Sequence, residues 1–306
     1  MLLFLCELPL WESGILLVLF PTIIAMCGPL IVRQCVELRR LTTNNEIAGF
    51  KFATVGVIYA VILAFAVIAV WEKFSEAEVM VTREAGGAAT LYRLAAGSEP
   101  EAAAAKIALN NYLKVVIERD WPLMAKEMES RDGIHALDGL YVAILQLPET
   151  RMRKAASFVE MLRQLDVITE ARRTRLHLAT GIIPTMLWVV LSCGAVLTIG
   201  FTFFFGTENL WAQITMTGVL STIVFMGLLV IVSFDHPYTG PVHVRPDPLE
   251  IVIEDFGRDS HFISPNIVQK LARLRGAGSI DVCRRSSAAS FPKQGQVVRP
   301  KSIGDK

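Results

Sequence analysis

The sequence predicts an all-α membrane protein with four transmembrane helices and a helical bundle inserted between helices 2 and 3. Three observations carry that prediction. The 306 residues are 53% hydrophobic and only 19% charged, against about 25% charged in an ordinary soluble domain. The apolar residues gather in four uncharged runs, each meeting the roughly 20 residues that a helix needs to cross a bilayer core. The polar stretch between the second and third runs carries its apolar residues at helical spacing, not in the alternation of a strand. Lys plus Arg number 30 and Asp plus Glu 29, a net charge of +1, so no field of the whole chain draws it to nucleic acid.

The runs are residues 13–32, 52–71, 178–207 and 209–234. A backbone in lipid has to satisfy its own hydrogen bonds, which makes each run helical. Residues 1–12 carry Glu7 and Glu12 and no Lys or Arg, so the first run reads as a span and not as a signal peptide. Pro21 and Pro29 lie inside it and should kink it, since each lacks a donor and crowds the preceding turn. Thr43 and Glu46 have capping-box spacing, which starts the second helix near Asn44. With no Pro or glycine pair before Gly86-Gly87, that helix runs out of the membrane past Trp71, Glu72, Phe74 and Ala77. Trp71 has the amphipathic ring expected at a headgroup interface.

The polar insert is close to neutral: residues 72–180 hold 15 basic and 16 acidic side chains. Helical spacing recurs over 102–128, 132–147 and 151–177, and Pro148 ends the second of these. The chain therefore divides into helices 1 and 2 (13–71), an insert continuous with helices 2 and 3 (72–178), helices 3 and 4 (179–234), an extended segment (235–264) and a basic tail (265–306). Within the extended segment, 249–256 is compatible with a short helix or a strand. The tail, with nine basic and two acidic residues, has the composition of a disordered region. Lys270, Arg273, Arg275, Arg284 and Arg285 could contact anionic lipid at about 1 kcal/mol each, or the tail could simply be solvated. Lys and Arg near the helix ends favour termini and insert on the cytoplasmic side of a bacterial inner membrane.

The chemistry-bearing motifs are few. There is no P-loop, GxGxxG, GxSxG or HExxH, and no catalytic residue, cofactor or metal ligand set is expected. The five cysteines show no CxxC spacing and read as small apolar residues. Asp235, His236 and His243 share one loop, where a turn with a satisfied Asp is a better reading than a metal site. None of the four runs contains Asp, Glu, Lys, Arg or His, which disfavours coupled transport but leaves a pore open. In helix 2, Gly56, Tyr59, Leu63, Val67 and Val70 recur at three- or four-residue spacing. They form either a pore wall or a packing seam of the kind small residues make in membranes. At the exit of helix 2, Glu72, Lys73, Glu76, Glu78, Arg83 and Glu84 could pair with Arg172, Arg173 and Arg175 or ring a vestibule. The plainer expectation is a solvated, salt-bridged helix surface.

Residues 52–94, Tyr112, Glu118, Trp121 and Pro122, Arg172 and Arg175, Pro184 and Trp188, and Asp235, Pro237, Tyr238 and Gly240 resemble a known set in order and spacing. They are similar to the bestrophin-like integral membrane proteins, long filed as a domain of unknown function, over about residues 15–250. That family resembles the true bestrophins, pentameric anion channels whose second helix lines a hydrophobic neck and continues into the cytoplasm. The resemblance implies a homo-oligomer in a lipid bilayer, pentameric if the likeness extends to assembly, and an anion channel lined by helix 2. It also implies structural or vestibule roles for Trp71, Glu72, Glu84, Glu118, Trp121, Arg172, Arg175 and Asp235. Where bestrophins carry an Arg-Thr-Asn stretch before the tryptophan, this chain has Ala66, Val67, Ile68, Ala69 and Val70. Glu250, Glu254, Asp255 and Asp259 lie in a different context from the bestrophin calcium cluster, so calcium control does not carry over. The alternative function is a non-conducting scaffold or sensor that binds partners through the insert and the basic tail.

Overall fold

The computed structural model describes residues 8–43, 45–98, 100, 102–147, 156–181 and 183–262. Every regular element among the described residues is helical. Four helices are long and apolar enough to cross a membrane: α1 (Leu10–Cys35), α3 (Asn45–Ala96), α8 (Thr185–Thr202) and α9 (Leu210–Asp235). Only 17–33% of the most apolar window of each is buried inside the chain. The remaining apolar surface is what lipid or another copy must cover. The chain is an integral membrane protein.

Prolines shape two of the helices in the same way. In α1, residues Ile15–Leu19 form a π turn, and the Phe20 amide donates to the Ile15 carbonyl, five residues back. Pro21 follows at once. In the insert, α4 (Ala103–Val115) widens into a π turn over Val116–Asp120 before α5 (Trp121–Met124). There the Trp121 amide donates to the Val116 carbonyl, and Pro122 follows. A proline ring clashes with the carbonyl four residues before it and cannot donate. A widened turn placed just ahead of it lets the helix continue without a break.

A short α2 (Leu38–Thr43) precedes α3. Helix α3 is described from Asn45, and the Thr43 side chain and Asn44, on which the expected capping box rests, lie outside the described residues. Its 52 residues extend about 78 Å, more than twice the thickness of a hydrocarbon core. It continues through Gly86-Gly87 because α7 (Ala156–Leu178) packs along it. A Cβ on Gly87 would stand 3.1 Å from Ile168 Cγ1 and 3.3 Å from Val167 Cγ1, whereas one on Gly86 would meet nothing.

Helix α6 (Arg131–Leu145) is capped by Ser130, whose Oγ accepts the Gly133 amide at 3.3 Å. It packs on α4 to close the insert. The expected boundaries at Pro148 and Arg151 fall outside the described residues. Within the uncharged run 178–207, Leu178 ends α7 and α8 spans Thr185–Thr202 with Pro184 at its N-terminal boundary. Asn209 caps α9, its Oδ1 accepting the Trp211 amide at 3.0 Å and the Ala212 amide at 3.3 Å. The expected extended segment after α9 is irregular only before α10 (Asp247–Phe262), which is a helix and not a strand. Two compact units, Met1–Glu254 and Asp255–Lys306, divide inside α10.

In the membrane part, α3 packs against α8 and α9, and α1 packs against α9. Tyr59 fits a notch that Gly194 leaves in α8, where a Cβ would sit 2.5 Å from the ring. The two adjacent glycines of α3 should therefore respond in opposite ways. Gly86→Ala, at an exposed and open helical position, should raise stability by about 0.5–1 kcal/mol. Gly87→Ala should lower the thermal midpoint by pressing on Ile168 and Val167. Thermal unfolding of the two variants in detergent, followed by circular dichroism, checks the signs.

Candidate functional site

Below the exit of α3, four charged side chains meet in the interior of the insert. Glu84 of α3, Asp120 of the π turn, and Arg172 and Arg175 of α7 are 0%, 0%, 5% and 0% exposed. Arg175 Nε donates to Glu84 Oε2 at 2.9 Å, and its Nη2 lies 3.6 Å from Asp120 Oδ2. Arg172 Nε donates to Asp120 Oδ2 at 3.0 Å, and its Nη1 to the half-exposed Glu129 at 3.2 Å. The Tyr112 hydroxyl of α4 donates to Glu84 Oε1 at 2.6 Å. Two guanidiniums face two carboxylates, so charge balances within the buried core of the cluster. A solvated surface, the plainer expectation for these arginines and for Glu84, is not what forms. The reason is that α4 and the π turn close over the contact between α3 and α7.

The local electrostatics follow from burial. Burial, and then the Glu84 charge, hold the Tyr112 hydroxyl well above its usual range, so it remains a donor. For Arg175, burial opposes the charge, but Glu84 and Tyr112 outweigh it and the net shift is upward. The Arg175 guanidinium also lies 4.8 Å from the Trp121 ring centroid, a cation–π contact. Trp121 in turn packs edge-on to Tyr238 at 5.7 Å and donates its indole N–H to the Val244 carbonyl at 3.2 Å. Burial pushes the Tyr238 hydroxyl upward as well.

A second set of contacts fastens the membrane helices to this insert. Asp235, at the end of α9, accepts the Ile183 amide at 2.8 Å, which ties α9 to the entry of α8. Its neighbour His236 meets Glu127 Oε1 through Nε2 at 2.9 Å. Glu127 has a φ of 58°, a left-handed conformation uncommon outside glycine. It occupies the position after α5 where a Schellman motif favours Gly: the Met128 amide reaches the Leu123 carbonyl and the Glu127 amide the Met124 carbonyl. The backbone strain is held in place where the side chain reaches His236.

The sequence-predicted candidates separate into three groups. Glu84, Trp121, Arg172 and Arg175 lie in the buried cluster, and Asp235 is buried in the second set of contacts. Trp71 and Glu72 lie at the exposed exit of α3, with the Trp71 ring 5.4 Å from that of Phe234. Glu118 is exposed and outside the cluster; Asp120, two residues on, is the acid that the fold uses. The Trp121-Pro122 pair was the available signal, since a proline inside a helix marks the distortion that turns Asp120 inward. Tyr112 was legible as a match, but nothing local pointed to Glu127 or His236 as partners.

The helix 2 stripe resolves toward packing. Tyr59 and Val70 are buried, and Leu63 and Val67 pack against the same clusters from α8 and α9. The Tyr59 hydroxyl donates to the Leu191 carbonyl at 3.2 Å, and Gly227 of α9 faces Leu63 closely. Gly56 is half-buried. Within the chain, Tyr59, Leu63, Val67 and Val70 pack against α8 and α9, where Gly194 and Gly227 leave room for Tyr59 and Leu63, whereas a Cβ on Gly56 would meet nothing. The opposite face of α3 presents Val57, Val61 and Ile68, which are 63%, 48% and 51% exposed.

The family model that matches is described as the Bestrophin-like domain, and it covers residues 19–249. No curated protein matches the chain. Among solved structures, the chain is similar to a bacterial bestrophin homologue from Klebsiella pneumoniae at 15% identity and a TM-score of 0.60, covering 78% of this chain and 97% of that one. A substituted form of the same homologue gives 14% identity and a TM-score of 0.61 over 78% and 96%. A structure described as a membrane protein gives 16% and 0.61 over 79% and 97%. At these identities the likeness is one of fold.

Two measurements test the cluster. Arg175→Met leaves Glu84 buried without its cation and should cost about 3–5 kcal/mol. By contrast, Arg83→Gln breaks an exposed pair with Glu170 and should cost under about 1 kcal/mol; chemical denaturation in detergent separates them. Tyr112 also sets a pH dependence. Its folded value lies above the ordinary 10.0, so its contribution is complete below pH 10 and falls as pH rises beyond it. The loss of thermal stability between pH 9 and 11 should be smaller in Tyr112→Phe than in the parent chain.

Proposed function

Because the chain belongs to the bestrophin-like family, we propose that it is a homo-oligomeric membrane channel in which the outward face of α3 lines the ion pathway. The single observation that supports this is the division of α3 into two faces. One face is consumed by packing with α8 and α9. The other carries Val57, Val61 and Ile68, all substantially exposed, and α3 has no Asp, Glu, Lys, Arg or His from Phe52 to Trp71. One uncharged stripe per copy, repeated about a symmetry axis, makes a hydrophobic constriction of the kind that can gate by dewetting. The same helix then enters the insert, where Glu84 bonds to Arg175, so movement of the insert is transmitted to the stripe by a rigid rod. The resemblance implies anions as the permeant class and five copies as the assembly. Termini and insert lie on the cytoplasmic side of a bacterial inner membrane, the arrangement that the basic residues near the helix ends favour.

Purified oligomer in planar bilayers should pass current, with the reversal potential in asymmetric KCl giving the sign of the permeant ion. Val61→Ser and Ile68→Ser should change unitary conductance severalfold by wetting the constriction. Leu63→Ala and Val67→Ala should lower stability and leave conductance near that of the parent. Electrically silent bilayers containing well-folded oligomer would sink the channel reading and favour a scaffold.

A further inference from the structure

At the end of the membrane region away from the insert, a cavity of about 360 Å³ opens among α3, α8 and α9. Phe52, Phe205, Met216 and Leu220 form apolar walls, and Thr202, Thr207, Gln213 and Thr217 supply polar groups of the lining. Ligand sites of about 300–1,000 Å³ have this composition, mostly apolar with a few placed polar groups. Gln213 is 3% exposed. Its amide nitrogen donates to the Phe205 carbonyl at 2.6 Å, and its oxygen accepts from Arg33 Nε at 3.2 Å. Arg33, in the last turn of α1, also donates through Nη2 to the Thr207 hydroxyl at 3.3 Å and to the Thr207 carbonyl. Thus two residues that line the cavity, Thr207 and Gln213, hold one half-buried guanidinium.

The partners recorded for Arg33 are all neutral, and among the described residues no carboxylate pairs with it. A cation at the end of a membrane helix without an acidic partner attracts an anionic headgroup, and its planar fork suits phosphate. We propose that the cavity holds one acyl chain of an anionic phospholipid whose phosphate pairs with Arg33. The bilayer supplies such a lipid, and the cavity lies among three spans, where a chain has only to turn inward from its own leaflet. The bound lipid bridges α1, α3 and the α8–α9 loop.

Native mass spectrometry of the full-length protein tests this, with phosphatidylglycerol and phosphatidylcholine of identical chains added in equal amounts. The parent chain should retain phosphatidylglycerol about fivefold over phosphatidylcholine, and Arg33→Gln should bring the two level. Gly49 lines the cavity, and a Cβ there would meet only the Phe205 ring, at 3.9 Å. Gly49→Leu should therefore fill the space and lose both lipids while leaving the Arg33 bonds in place. This arm decides the matter even if Arg33→Gln does not remain monodisperse. Equal retention of the two lipids by the parent chain overturns the proposal, as does unchanged retention in Gly49→Leu. Oleate that displaces phosphatidylglycerol at equal concentration would assign the cavity to a fatty acid and also overturn it.

Discussion

The Glu84–Arg175 ion pair is the contact on which the arrangement of the molecule depends. It joins α3, the helix that leaves the membrane, to α7, the helix that returns to it. Neither partner is exposed, so neither charge can be solvated by water if the other is lost. Asp120 and Arg172 extend the pair into a balanced quartet, and Tyr112 supplies a hydroxyl donor to Glu84. A buried ion pair does not add stability over well-packed apolar residues. It does impose one register, because sliding α7 along α3 by a turn would strand two guanidiniums and two carboxylates in a dry interior. Register, more than net stability, is what such a cluster contributes to a helix that is both a membrane span and a scaffold.

That double role explains the distribution of small residues. Gly87 lets α7 close on α3 one turn beyond Glu84, while Gly194 and Gly227 let α8 and α9 close on Tyr59 and Leu63. With those contacts made, α3 can turn neither its Tyr59 face nor its Glu84 face outward. The stripe that remains, Val57, Val61 and Ile68, is apolar and exposed. At the exit, Trp71 and Phe74 both pack on Phe234. Asp235 and His236 follow directly, reaching Ile183 and Glu127. The membrane and insert layers thus share one joint in which backbone strain at Glu127, a histidine and two carboxylates are packed together.

The sequence was most legible where lipid imposes a simple demand. The spans, their number and the long exit of helix 2 follow from uncharged length and the need of a backbone in lipid to bond to itself. It was less legible where one pattern serves two purposes. The spacing of Tyr59, Leu63, Val67 and Val70 suits a pore wall and a packing seam equally. A helical stripe shows only that those residues share a face, not what the face meets. Glu118 and Asp120 differ by two positions, and in a regular helix either could turn inward; the π turn before Pro122 selects Asp120.

By itself, then, the sequence determined an all-α membrane chain with a helical insert, because hydrophobic length and periodicity are properties of single segments. The tertiary structure decided which face of α3 is inward, which acid meets Arg172, and that Glu84 and Arg175 are buried instead of solvated. Those outcomes depend on shape complementarity between helices far apart in the chain, such as Gly194 against Tyr59 and Gly87 against Ile168. No local pattern encodes such complementarity, since the missing Cβ matters only once its neighbour has arrived.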